Sequence, residues 1–175
     1  MLKVTTLNET GSNLVIKRAN ADHVGILQEL YVEAARWRVA RGIKLWSEHT
    51  FTKEYIENFM QEKEVFVALA GQTGIGCFSI QWNDKPIWQE LDNEESGYLH
   101  RLVVSRTYSG MRMGHKLLEW AEQYVRREGK RFFRLDCMTE NTGLNQYYKE
   151  AGFVFQKTVV GEGWSANLYE KQLML

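Results

Sequence analysis

The sequence predicts an α+β fold, with a mixed, mostly antiparallel central sheet of about seven strands and helices on both faces. Three observations lead there. Hydrophobic periodicity switches between two residues and about 3.6 residues along the chain, in the order β-α-α-β-β-β-α-β-α-β-β. Some neighbouring strands are joined by tight glycine turns, as hairpins, and others by whole helices, as crossovers. Of 175 residues, 44% are apolar and 13% aromatic, enough to fill the core of a single domain over 1–175.

Residues 1–13 are polar, with Gly11 and Ser12, and fit either a loose leader or an edge strand. Leu14 and Ile16 alternate with Val15 and Lys17 in the next strand, 14–19. Asp22 offers a cap for a helix at 22–41, where Val24, Leu27, Leu30, Tyr31, Ala34 and Ala35 recur at helical spacing; Gly42 stops it. Thr50 or Thr52 caps a second helix carrying Tyr55, Ile56, Phe59 and Met60. Residues 64–70 and 75–82 form a hairpin across a glycine turn at 71–74. The polar stretch 83–96, with Pro86, reads as a surface loop. A strand at 97–104 leads to a helix at 112–129 with Met113, Leu117, Trp120, Ala121, Tyr124 and Val125 on one face. A strand at 131–137, a short helix at 141–150 and paired strands at 153–159 and 165–171 complete the chain.

Composition narrows the function. Twenty-two basic residues balance 22 acidic ones, which speaks against nucleic acid or an anionic membrane as the main partner. No run approaches the ~18 apolar residues of a membrane span. The N-terminus lacks a basic-then-apolar export pattern, so a cytoplasmic protein is expected. Cys77 and Cys137 lie in strand-like runs without metal-ligand spacing, which predicts buried free thiols and no metal site.

The chemistry concentrates in 98–153. The turn Ser109-Gly110-Met111-Arg112-Met113-Gly114 opens a helix. Unpaired backbone N–H groups and an arginine at a helix N-terminus suit a phosphate. Downstream runs Asn141-Thr142-Gly143-Leu144-Asn145-Gln146-Tyr147-Tyr148-Lys149-Glu150-Ala151-Gly152-Phe153. The chain has neither Gly-x4-Gly-Lys-Ser/Thr nor a strand-linked Gly-x-Gly-x-x-Gly, which ranks other nucleotide-binding families low.

These residues, in this order, resemble the GNAT superfamily of acetyl-CoA-dependent N-acetyltransferases. The likeness covers nearly the whole chain in element order and is specific over 98–153. The family's loop reads Arg/Gln-x-x-Gly-x-Gly/Ala; Gly114 fits its last position, while Ser109 replaces Arg/Gln and Arg112 replaces the first glycine. Asn141 to Phe153 match the family's Asn-x6-Tyr-x3-Gly-Phe pattern. The resemblance implies an acyl-CoA N-acyltransferase-like fold with acetyl-CoA as cosubstrate. Its diphosphate would rest on Ser109, Gly110, Met111, Arg112, Met113 and Gly114, with His115 beside them. Its pantetheine would lie along Leu102, Val103 and Val104, held also by the Asn141 side-chain amide, and Tyr148 would be the general acid. Everything in the cradle turns on position 112: a positive φ strains an arginine there, whereas a negative φ leaves it harmless.

The resemblance implies direct attack on the thioester by a primary amine of a small molecule or peptide. The competing reading is a catalytically weak acyl-CoA-binding sensor. The family has no fixed base. His100 is the first candidate, because strand alternation sets it with Leu102 and Val104 and imidazoles titrate near neutrality. Asp136 and Glu140 follow, either as water-linked bases or as caps for the helix starting at Asn141. Trp37, Arg41 and Trp46, after the first helix, and Trp164, in the 161–164 turn, are expected to wall the acceptor pocket. Pairing through C-terminal strands, common in the family, leaves monomer and homodimer both open.

Overall fold

The computed structural model describes residues 4–7, 13–43 and 46–174, without the side chains of 4–7. In chain order its elements are β1 (Val4–Leu7), β2 (Asn13–Arg18), α1 (Val24–Val39), α2 (Lys53–Glu62), β3 (Glu64–Ala70), β4 (Thr73–Gln81), α3 (Lys85–Trp88), β5 (Ser96–Val104), α4 (Met113–Arg127), β6 (Phe132–Met138), α5 (Thr142–Glu150), β7 (Val154–Gly161) and β8 (Trp164–Gln172). The α+β class and the mixed, mostly antiparallel pairing match the sequence prediction. The chain forms two compact units, 1–79 with 101–118 and 80–100 with 119–175. Strands β4 and β5 and helix α4 each run from one unit into the other along the chain.

In the first unit the strand order is β1-β2-β3-β4, followed by the 101–104 half of β5. β1 is the strand beyond the expected seven or so, so the edge-strand alternative for 1–13 holds at Val4–Leu7. The rest of that segment lies outside the described residues, apart from Asn13 in β2. Asn20, not Asp22, caps the first helical segment: its Oδ1 accepts from the Asp22 N–H at 3.1 Å, and its own N–H donates to His23 Nδ1 at 3.0 Å. Asn20 wins because its backbone is extended, so its amide oxygen reaches the first orphaned N–H groups. Thr52 caps α2 by accepting from the Tyr55 N–H at 3.1 Å. The apolar faces of the two helices pack with β3 and β4 around Leu27, Tyr31, Ile56, Val67 and Cys77.

Glycine at position 76 is a packing requirement. A Cβ there would meet the Val103 carbonyl oxygen at 2.5 Å and Leu117 Cδ1 at 2.8 Å. The first of these is backbone and cannot swing aside. Gly76→Ala is therefore expected to cost about 1–3 kcal/mol, read as a lower midpoint in denaturant unfolding. A midpoint equal to wild type would contradict the close approach.

In the second unit the 96–100 half of β5 runs parallel to β6, with Ser96 opposite Phe132 and Tyr98 opposite Arg134. β8 pairs antiparallel with both β6 and β7. The stretch 83–96 corrects the surface-loop expectation. It holds α3 and a 3₁₀ turn at Gln89–Leu91, and Trp88 is only 1% exposed. Pro86 suits a first helical turn, where its missing N–H costs nothing. Trp88 packs edge-on against Tyr98 at 5.6 Å, and the Arg134 guanidinium covers its ring at 4.4 Å. Four helical residues are too few to show a period, so burial of this segment had no sequence signal. Among the described residues no helix is long and apolar enough to cross a membrane.

Candidate functional site

Within the first unit, residues 109–114 join β5 to α4. Gly110 has φ +80° and Arg112 φ +55°. Arg112 thus keeps the left-handed backbone of the glycine it replaces, at roughly 1–2 kcal/mol of strain. Ser109, Gly110 and Arg112 are exposed, and the Met113 side chain is buried at 2%, so Met113 can offer a ligand only its backbone. The expectation of an unpaired cradle is corrected in part. The Ser109 N–H donates to Arg106 O at 3.1 Å, and the Met111 N–H to Tyr108 O at 3.3 Å. The turn consumes these amides because a 3₁₀ segment, Arg106–Tyr108, precedes it. A helix leaves its first N–H groups without intrahelical acceptors, and α4 brings those of Met113 and Gly114 to the end of this turn.

Upstream, Arg101 lies inside β5 with φ +54°. A left-handed residue within a strand bends it and re-aims its side chains. Arg101 and Val103 both pack towards the core cluster that holds Phe51. Leu102 and Val104 are half-buried and Val103 is buried at 4%. The Arg101 guanidinium carbon lies 4.3 Å from the Phe59 ring centroid and 5.3 Å from that of Tyr55, and its Nη2 donates to the Tyr55 hydroxyl.

The residues expected to wall an acceptor pocket separate into distinct settings. Trp46 packs against Tyr31 and Phe51, with the Arg38 guanidinium 3.8 Å from its ring. Trp37 is covered instead by Arg41 at 4.0 Å and Arg106 at 4.5 Å. In the second unit Trp164 lies over Gly161, where a Cβ would come within 2.1 Å of the indole. Trp164 therefore closes a tight hairpin.

Within the second unit Asn141 caps α5 itself, its Oδ1 accepting from the Leu144 N–H at 3.0 Å. Neither Asp136 nor Glu140 serves as that cap. The Asn141 backbone carbonyl accepts from Asn145 Nδ2 at 2.8 Å, and Asn145 Oδ1 accepts from the Tyr169 hydroxyl at 2.7 Å. This buried network fixes the start of the helix, and Asn145 carried no motif to announce it. One helical turn on, Tyr148 is 5% exposed among the rings of Tyr147, Phe153 and Tyr169, at 5.5, 6.0 and 6.3 Å.

The same unit holds a cluster that sequence reasoning saw only in part. His100 Nε2 lies 2.8 Å from Asp84 Oδ2, and His100 Nδ1 lies 3.8 Å from Asp136 Oδ1. Asp84 is 4% exposed, and its N–H donates to Asp92 Oδ1 at 2.9 Å, so its position is well determined. Asp84 thus holds one ring nitrogen of His100, and Asp136 faces the other. Burial pushes the Asp136 carboxyl above the usual carboxylate range; the His100 imidazole opposes that and the Asp84 carboxylate adds to it. Donor atoms of the three side chains lie within 4.8 Å of one another.

The raised carboxyl of Asp136 has a stability consequence. The folded state holds its proton to higher pH than the unfolded chain does, so this residue's contribution is fully present below the unfolded pKa. It is lost as pH rises through the folded value. Asp136→Asn should therefore gain stability relative to wild type between about pH 4 and pH 7. Parallel unfolding curves at the two pH values check this, and a difference independent of pH would contradict it.

Both cysteines are free and buried, and burial pushes each thiol up to about 12. Neither is a thiolate at neutral pH, so both read as inert core residues, as expected.

A strand order of this kind, with a left-handed turn opening α4 and an Asn-capped α5, is the framework of an acyltransferase. The chain belongs to the acetyltransferase (GNAT) family, whose model matches residues 24–153, and it is an acetyltransferase. A Bacillus subtilis relative, named as the uncharacterized N-acetyltransferase YesJ, is 30% identical over 155 residues, 82% of each chain. The crystal structure of a GNAT-family acetyltransferase from Listeria monocytogenes is similar at a TM-score of 0.78 and 28% identity, covering 98% of this chain and 100% of that one. The PaiA N-acetyltransferase of Thermoplasma acidophilum, solved in complex with coenzyme A, shares the fold at a TM-score of 0.72 and 21% identity, over 91% of this chain and 99% of that one.

Proposed function

We propose that this chain moves an acetyl group from acetyl-CoA to a primary amine of a small molecule or peptide by direct attack. The observation that carries the reading is the backbone at Arg112, which holds φ +55° where the family's pattern has glycine. A sequence departure that keeps the conformation keeps the direction of the amides that follow it. Those of Met113 and Gly114, with the exposed Arg112 cation, offer the diphosphate backbone donors and charge. The complex of PaiA with coenzyme A supports the same cosubstrate here.

Pantetheine is assigned to Leu102, Val103 and Val104, where the left-handed Arg101 supports a strand bent away from regular pairing. It is also assigned to Asn141, whose Oδ1 is spent on the cap and whose Nδ2 remains to donate. The amine nitrogen bonds to the thioester carbon while its proton passes to the His100 imidazole, which Asp84 orients through a 2.8 Å hydrogen bond. The C–S bond then breaks, and Tyr148 returns a proton to the departing thiolate.

The two amides engaged within the 109–114 turn favour a second reading, a weak acyl-CoA-binding sensor. Thiol release from acetyl-CoA across polyamines, amino acids, aminoglycosides and peptides separates the two. Release with any amine supports the enzyme; CoA binding without release across the panel supports the sensor.

A further inference from the structure

Arg101 is half-buried in the first unit and stacks on three aromatic rings. Its guanidinium carbon lies 4.3, 5.3 and 5.9 Å from the ring centroids of Phe59, Tyr55 and Phe51. Nη2 donates to the Tyr55 hydroxyl, and Nη1 is enclosed without an acceptor. Among the described residues no carboxylate forms an ion pair with it. The Tyr31 hydroxyl is also buried and without a conventional acceptor, with the Cys77 thiol among its neighbours.

The chain shows what a satisfied arginine looks like. Arg134 reaches Glu170 with both Nε and Nη2, at 2.8 and 2.7 Å, and Nη1 donates to Leu91 O and to the Tyr98 hydroxyl at 3.0 Å. It too stacks on aromatic rings, so ring contact is no substitute for a carboxylate elsewhere in this protein. A guanidinium lifted from water without a counter-ion costs several kcal/mol unless something pairs with it. Arg101 is also held at φ +54°, a strain that arginine has no intrinsic reason to accept.

We infer that Arg101 is an anion subsite for the acceptor, and that the acceptor is an amine that also carries a carboxylate, with an apolar side chain against the half-buried rings of Tyr55 and Phe59. The planar fork of a guanidinium matches a carboxylate, and the rings form an apolar wall around the pair. An α-amino acid has this chemistry. The inference rests on the acetyltransferase reading and names its substrate class.

The test compares free acids with their amides: leucine with leucinamide, phenylalanine with phenylalaninamide, in the thiol-release assay and in equilibrium binding to the CoA-loaded protein. Wild type should prefer the acid by about 10- to 100-fold in kcat/KM. Arg101→Gln should abolish that preference, and Arg101→Lys should keep most of it. CoA affinity, measured by calorimetry on each variant, reports separately whether the fold and the acetyl-CoA reading survive. Equal use of acid and amide by wild type overturns the subsite, and that arm needs no variant. An unchanged ratio in Arg101→Gln, or CoA binding with no acid either acetylated or bound, overturns it as well. Failure to bind CoA at all would instead overturn the acetyltransferase reading.

Discussion

Tyr148→Phe is expected to lower kcat by about 10²- to 10³-fold while leaving the KM for acetyl-CoA nearly unchanged. The hydroxyl is the only atom removed, and the ring stays packed among Phe153, Tyr169 and Tyr147. The loss sits toward the lower end of what positioned proton transfer supplies. A thiol titrates near pH 8.5, so a thiolate is a tolerable leaving group even unprotonated. Acid catalysis therefore matters most below that pH, and the deficit should shrink in alkaline buffer. Burial at 5% exposure fits the role, because a phenol shielded from water delivers its proton where the low dielectric makes the thiolate costly. Steady-state kinetics at several pH values read both parts. A kcat within threefold of wild type would leave Tyr148 as a core tyrosine and nothing more.

The second large effect concerns the base. An alkylamine with a pKa of about 10.4 is free base in roughly one molecule per 10³ at pH 7, a cost of about 4–5 kcal/mol. His100→Gln should lower kcat/KM about 10²- to 10³-fold at neutral pH. The loss should fade as the buffer approaches pH 10, where the amine supplies its own free base. Asp84→Asn should move in the same direction by less, because Asp84 acts through the ring it holds at 2.8 Å. The shape of the pH profile separates a base from a merely structural histidine, which would cost activity equally at every pH. A parallel downward shift across the range would remove His100 from the chemistry.

Local motifs carried the recognition of the family. The 109–114 turn and the run from Asn141 to Phe153 are legible because each pattern lies within residues close in sequence. Spacing within a turn and a single helix survives any tertiary arrangement. Strand and helix placement was legible for the same reason, since Val65 to Leu69 and the apolar face of α4 advertise their periods. Arg101 and Arg112 show where that reading ends. Both adopt a backbone that glycine would have announced, and arginine announces nothing. The left-handed position inside β5 therefore had no signal in the sequence. Asp84 was hidden more deeply. It precedes a helix of only four residues, and its partner lies 16 residues along the chain, so no short-range pattern links them. Trp88 misled in the same segment, because one indole among polar neighbours looks exposed until Tyr98 and Arg134 are packed around it.

The left-handed turn before α4 is the feature on which the proposed mechanism depends, and ligand preference tests it most directly. Calorimetric titration with CoA, ATP and NAD compares three ligands that share an adenosine and phosphates. One saturable site that takes CoA well ahead of the other two is the predicted result, because the proposed pantetheine contacts are ones that only CoA can use. No binding of CoA, or equal binding of all three, would contradict it.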